Sequence, residues 1–189
     1  MKTTAILAPA ALLAAVTASP VPASSTTFKL IATAPGSPIH AHYLTASDGR
    51  FYVGRATNST CGNIAPVFDE SADAAAGALA MYGDGKESAQ QQAYIDISGA
   101  ADGALSYVAD ADADAALTPE QSADGFARDE ARGVVTYEGG DWLACPQGEG
   151  EGEYVVFAEK AHGKAGEGCT RFEMATKKVR TPKVVCVYL

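Results

Sequence analysis

Apolar and polar residues alternate along most of this chain in short runs, each closed by glycine, aspartate or proline. Phe28, Leu30 and Ala32 alternate with Lys29 and Thr33, and Pro35-Gly36-Ser37-Pro38 then forms a turn. A period of two marks a strand with one buried face, because successive side chains point to opposite sides of a sheet. Residues 39–45 read as a second strand. Ser47-Asp48-Gly49 leads straight into Arg50-Phe51-Tyr52-Val53, and Asp-Gly between two such runs is a strong hairpin signal. Asp84-Gly85 and Asp102-Gly103 repeat it, the latter ahead of Ala104-Leu105-Ser106-Tyr107-Val108. Further strands are expected at Phe68 and over residues 78–82, 93–97, 133–137, 142–145, 154–158, 170–175 and 183–188.

Strands roughly ten residues apart, separated by Gly and Asp turns, predict an all-β fold: a single-domain antiparallel sandwich or barrel. Helix signals are confined to the alanine-rich residues 69–76 and to Thr118-Pro119-Glu120-Gln121, a cap followed by Pro at the first helical position. At most one or two short helices are therefore expected. Residues 49–53, 103–107 and 140–144 each set a Gly shortly ahead of an apolar strand. These echoes make a β-trefoil the alternative, although their uneven intervals favour the sandwich or barrel.

The N-terminus bears on compartment. Lys2 supplies a positive charge, residues 5–16 are apolar, and Val16-Thr17-Ala18 offers suitable residues for signal peptidase. That is the pattern of a removed signal peptide over residues 1–18. The apolar run is too short to cross about 30 Å of hydrocarbon, so no membrane insertion is expected. Residues 19–27, rich in Pro, Ser and Thr, read as a mobile leader, and residues 28–189 as one β domain. The roughly 170 residues left after cleavage fit the usual size of one domain with a sizeable core.

With 23 acidic against 14 basic side chains the formal net charge is −9. Such a surface repels phosphates, so nucleic acid is not an expected partner. The basic minority clusters late, at Lys177, Lys178, Arg180 and Lys183. A solvated strand end accounts for it more simply than a patch for heparin-like chains or anionic lipid.

Four cysteines, Cys61, Cys145, Cys169 and Cys186, read as two disulfides in an oxidising compartment, with three connectivities open. Cys145 and Cys169 bracket two strands joined by the acidic glycine-rich turn 147–153, as in a stapled hairpin. The expected pairs are therefore Cys145 with Cys169 and Cys61 with Cys186. No Cys-x-x-Cys and no His pair beside a Cys marks a zinc site.

Asn58-Ser59-Thr60 is the one N-glycosylation sequon, which makes Asn58 the expected sugar acceptor. Asp110, Asp112 and Asp114 resemble the opening of a calcium loop. Ala115 stands where that loop needs Gly and Gln121 where it needs Glu, so the run reads as a solvated acidic loop. His40 and His42 would share one strand face, but a metal needs a third ligand and only His162 is left. No metal and no cofactor are expected. Gly-x-Ser-x-Gly is absent, and bridged cysteines cannot act as thiolates. Asp96, Glu138 and Asp141 are candidate carboxylates for glycoside hydrolysis, but nothing marks them among 23 acids. Trp142, Tyr52 and Tyr107 are candidate platforms for stacking on sugar rings, although Trp142 reads first as a buried ring packed on a disulfide. No catalytic residue is assigned, and the expected protein is not an enzyme.

Ser37-Pro38-Ile39-His40, Gly49-Arg50-Phe51-Tyr52-Val53-Gly54, Gly103-Ala104-Leu105-Ser106-Tyr107, Trp142-Leu143-Ala144-Cys145-Pro146 and Cys169-Thr170-Arg171-Phe172 together resemble the fungal phialide cell-wall protein (PhiA) family. These are small secreted proteins of filamentous ascomycetes, some of them IgE-binding allergens. The resemblance runs from Phe28 to about Phe172; the chain departs from it in an acidic insert over 110–132 and a basic tail ending at Cys186. It implies an extracellular or cell-wall protein without known enzymatic activity, associated with phialide and conidium development. The expected role is structural or interactive, with wall polysaccharide or wall proteins as partners; oligomeric state is left open. A secreted carbohydrate-binding module, a host-directed effector and a secreted hydrolase are the alternatives.

Overall fold

The computed structural model describes residues 26–70, 77–83, 91–108, 117–147, 152–163 and 168–189. The expected signal peptide, the leader up to residue 25, Asp84-Gly85 and the aspartates at 110–114 lie outside these residues. Every regular element among the described residues is a strand. In chain order they are β1 (Thr26–Thr33), β2 (Leu44–Ser47), β3 (Arg50–Val53), β4 (Phe68–Glu70), β5 (Leu79–Met81), β6 (Gln92–Asp96) and β7 (Ala104–Tyr107). They continue with β8 (Gln121–Ser122), β9 (Phe126–Asp129), β10 (Val134–Tyr137), β11 (Trp142–Pro146), β12 (Tyr154–Ala158) and β13 (Thr170–Val179).

All pairings are antiparallel and join the strands into one sheet. The hydrogen-bonded path runs β1-β4-β5-β6-β7-β3-β12-β11-β13, and β13 returns to β1 through the register Thr27↔Val179 to Thr33↔Glu173. The sheet thus curls back on itself without forming a clean barrel, since β10 and β9 branch from β13, β2 from β3 and β8 from β6. The all-β antiparallel fold predicted from the alternation is the one observed. The strand order has no threefold repetition, so the trefoil alternative falls. Its three echo segments are β3, β7 and β11, and each of them pairs with β12.

Local chemistry sets the turns. Asp48 and Gly49, at φ 51° and 73°, join β2 to β3 in the register Ser47↔Arg50. Two consecutive positive-φ residues twist a hairpin in the hand that strands prefer, and Gly adopts such a φ at no steric cost. Glu138 and Gly139, at φ 48° and 70°, make the corresponding turn after β10, closed by the bridge Tyr137↔Gly140.

Four local expectations are corrected. Residues 39–41 form a turn, because Ala41 has φ 63° and the His40 amide donates to the Ser37 carbonyl; the strand begins only at Leu44. Thr118 to Gln121 closes as a turn, its ends tied by the Gln121 amide on the Thr118 carbonyl and the Thr118 amide on Gln121 Oε1, and runs into β8 rather than a helix. Residues 183–188 form no strand and touch the network through the bridge Ser59↔Tyr188. Thr26 and Thr27, assigned to the leader from composition, open β1, with Thr27 buried.

One core lies inside the curled sheet. Phe28, Phe68, Phe51 and Tyr107 form a chain of ring contacts with centroids 5.9, 5.9 and 5.2 Å apart. Phe126 packs edge-on to Tyr137 and stacks on Trp142. Aliphatic residues from β1, β2, β5, β6, β7, β10 and β12 fill the space between.

Candidate functional site

The C-terminal residues bear most on a site. After β13 the chain turns back past the loop that follows β3, and a disulfide joins Cys61 to Cys186 across 125 positions. The Thr60 amide donates to the Val187 carbonyl, the Val187 amide to Thr60 Oγ1, and the Leu189 amide to the Asn58 carbonyl. The Leu189 carbonyl accepts from the Asp48 amide and from the Tyr107 hydroxyl. Gln91, buried ahead of β6, donates through Nε2 to the carbonyls of Val108 and Tyr188 and accepts the Tyr188 amide on Oε1. Backbone that makes no ladder is thereby satisfied one group at a time.

Beside this clasp opens a cleft of about 690 Å³. Val67, Tyr82, Val179 and Tyr188 line it with apolar surface, and Ile64 and Val184 stand at its mouth, 44% and 66% exposed. Lys183, Val184, Cys186 and Tyr188 all line it, although this stretch forms no strand. Lys29, Arg180 and Lys183 supply its charge, and no acidic residue lines it among the described residues. Burial pushes the Tyr188 hydroxyl up to about 12, against a bond to the Val67 backbone that favours the ionised form. A more polar hollow of about 620 Å³ shares Lys29 and Ile64 and adds Tyr43 and Arg55. Lys29 and Lys177 flank the Tyr43 ring at 5.6 and 5.5 Å, and Lys177 donates to its hydroxyl.

The three candidate stacking residues are buried, which corrects that expectation. Trp142 has no exposed surface, its Nε1 donating to the Val135 carbonyl at 2.7 Å, and the ring it stacks on is Phe126. Tyr107 packs on Phe51, and burial raises its hydroxyl to about 12. Tyr52 is buried, with the Arg55 guanidinium 4.6 Å from its ring centroid. Trp142 and Tyr107 belong to the core, whereas Tyr52 alternates with the core residues Phe51 and Val53 and is covered on the other face of β3; none of the three offers an open ring face to a sugar.

Cys145 is joined to Cys169, stapling the β11–β12 hairpin to the start of β13. His162 lies within 4.8 Å of both sulfurs. Its Nδ1 is held by the Asp102 carbonyl at 2.8 Å and carboxylate at 3.2 Å, the arrangement that fixes imidazole orientation in metal sites. The two sulfurs are bonded to each other, so they are not thiolate donors. His40 and His42 share no strand: His40 Nδ1 accepts the Ala34 amide within the turn.

The candidate carboxylates have separate local roles. Asp96 caps the loop after β6 by accepting the Ser98 amide, and Glu138 occupies a turn. Asp141 shares Arg171 with Glu159, each at 3.0 Å. Asn58 is exposed at the clasp, while the Thr60 hydroxyl of its sequon is engaged by Val187.

The cleft was not legible in the sequence, because its residues come from β1, the loop before β4, Tyr82 and the C-terminal segment. The one signal pointing to it was the late basic cluster, which contributes Arg180 and Lys183.

A family model described as PhiA-like secreted protein matches residues 28–189. Neither the curated proteins nor the solved structures yield a match.

Proposed function

Since the chain belongs to the PhiA-like secreted protein family, we propose that it works outside the cell as a non-catalytic, cell-wall-associated structural or interaction protein linked to phialide and conidium development. The family match carries the reading: it makes the protein secreted, and it begins at residue 28, just past the segment that reads as signal peptide and leader. Two disulfides that close long stretches of chain suit an oxidising exterior. What supports a non-catalytic role is the use of Asp96, Glu138 and Asp141 in a loop cap, a turn and an ion pair. Wall association is proposed to run through wall polysaccharide or wall proteins, with Asn58 glycosylated at the exposed clasp. The burial of Trp142, Tyr52 and Tyr107 weighs against carbohydrate stacking at those positions.

Fractionation of culture medium, wall and cytosol tests the proposal. The protein is expected in the wall fraction, resistant to detergent and released by glucanase or reductant. Recovery wholly in the medium would count against wall association and favour a host-directed effector.

A further inference from the structure

The cleft beside the C-terminal clasp combines three features that a solvated strand end does not need. Its walls are apolar, from Val67, Tyr82 and Val179 over the ring of Tyr188. Its charge is cationic, with Lys29, Arg180 and Lys183 and no described carboxylate, on a chain of 23 acids and 14 bases. Finally, Ile64 and Val184, two of the four large apolar side chains exposed among the described residues, meet at this one place.

We propose that the cleft is a binding site for a single-chain amphiphilic anion: a long-chain fatty carboxylate whose chain lies along Val67, Tyr82 and Val184 and whose head group meets Arg180 and Lys183. Apolar walls favour a hydrocarbon chain by removing its surface from water. They offer little to a sugar or a free inorganic anion, which need several convergent polar partners. Among the described residues neither Arg180 nor Lys183 is engaged in an ion pair, so both are available to a carboxylate. Lys29, shared with the Tyr43 ring, adds positive field rather than a dedicated contact. The volume of about 690 Å³ falls within the roughly 300–1,000 Å³ of small-molecule sites. The Cys61–Cys186 bridge and the Gln91 bonds hold one wall in place before any ligand arrives, which lowers the cost of ordering it. The inference is independent of wall association.

The test is titration of the secreted full-length chain with monomeric palmitate, with hexadecanol, and with phosphatidylcholine vesicles with or without phosphatidylserine. One saturable palmitate site is expected, with hexadecanol at least about tenfold weaker, since it lacks the charge-assisted contact. Arg180→Glu/Lys183→Glu is expected to weaken palmitate binding by at least about tenfold, and Val184→Asp to abolish saturation. These three positions are exposed, and an unchanged near-ultraviolet spectrum of buried Trp142 verifies that the variants fold. Equal binding of palmitate and hexadecanol, or full palmitate affinity in the double reversal, would overturn the head-group assignment. No saturable palmitate binding would overturn the site itself. Binding confined to phosphatidylserine vesicles would overturn it in favour of a membrane-surface patch.

Discussion

Gln91 satisfies both main-chain groups of Tyr188 from a single buried side chain, and holds the Val108 carbonyl besides. Deleting a partner of a buried donor or acceptor leaves that group desolvated, at about 1–3 kcal/mol each. Gln91→Ala is therefore expected to lower unfolding stability by about 3 kcal/mol, read as a fall in the urea midpoint with the slope unchanged. A loss below about 0.5 kcal/mol, typical of a surface substitution, would show that the clasp stands without this amide. Residues of this kind are hard to read from sequence. Gln91 sits in the polar run Gln90-Gln91-Gln92, where hydropathy points to solvent and nothing marks the middle amide as buried. Trp142 was legible as a buried ring because it opens an apolar run, whereas its partner Phe126 lies on β9, a strand that the sequence reading missed.

At the scale of elements, turn chemistry and alternation carried most of the reading. Asp48-Gly49 was recognisable because both residue types tolerate positive φ, while Glu138-Gly139 hid the same turn behind a residue seldom found there. Residues 183–188 alternate like a strand but lack a neighbouring ladder, and single bonds from Thr60, Asn58 and Gln91 replace it. The two disulfides anchor different elements and should differ in weight. Chain entropy assigns about 5 kcal/mol to Cys61–Cys186 and about 3.5 kcal/mol to Cys145–Cys169, whose sequence separations are 125 and 24. Paired Cys→Ala variants compared by denaturant unfolding are expected to rank in that order. The reverse ranking would mean that the stapled β11–β12 hairpin, not the clasp, limits the unfolded ensemble.

For the whole molecule, the pH profile follows from two tyrosines buried at the clasp. Tyr107 and Tyr188 are held at about 12 by burial, against 10.0 when solvated, and burial raises Tyr94 as well. Between those values the unfolded chain has released protons that the native protein keeps, so stability falls as pH rises. The urea midpoint is expected to be level up to about pH 9 and to drop from about pH 10 upward. Tyr107→Phe should start lower, having lost its bond to the Leu189 carbonyl, and decline less steeply. A midpoint level through pH 11 and beyond would contradict the shifts. Family and fold class were legible at this scale because both rest on patterns local in sequence; the cleft was not, since only the closed fold brings Lys29 beside Arg180. The return of β13 to β1 has one more consequence. Among the described residues the strands with a single ladder partner are β2, β8 and β9, none longer than four residues. So little free edge gives another chain almost no template for strand addition. Copies of the secreted chain at high concentration would then meet through side chains rather than backbone ladders, and would resist growing into cross-β fibres.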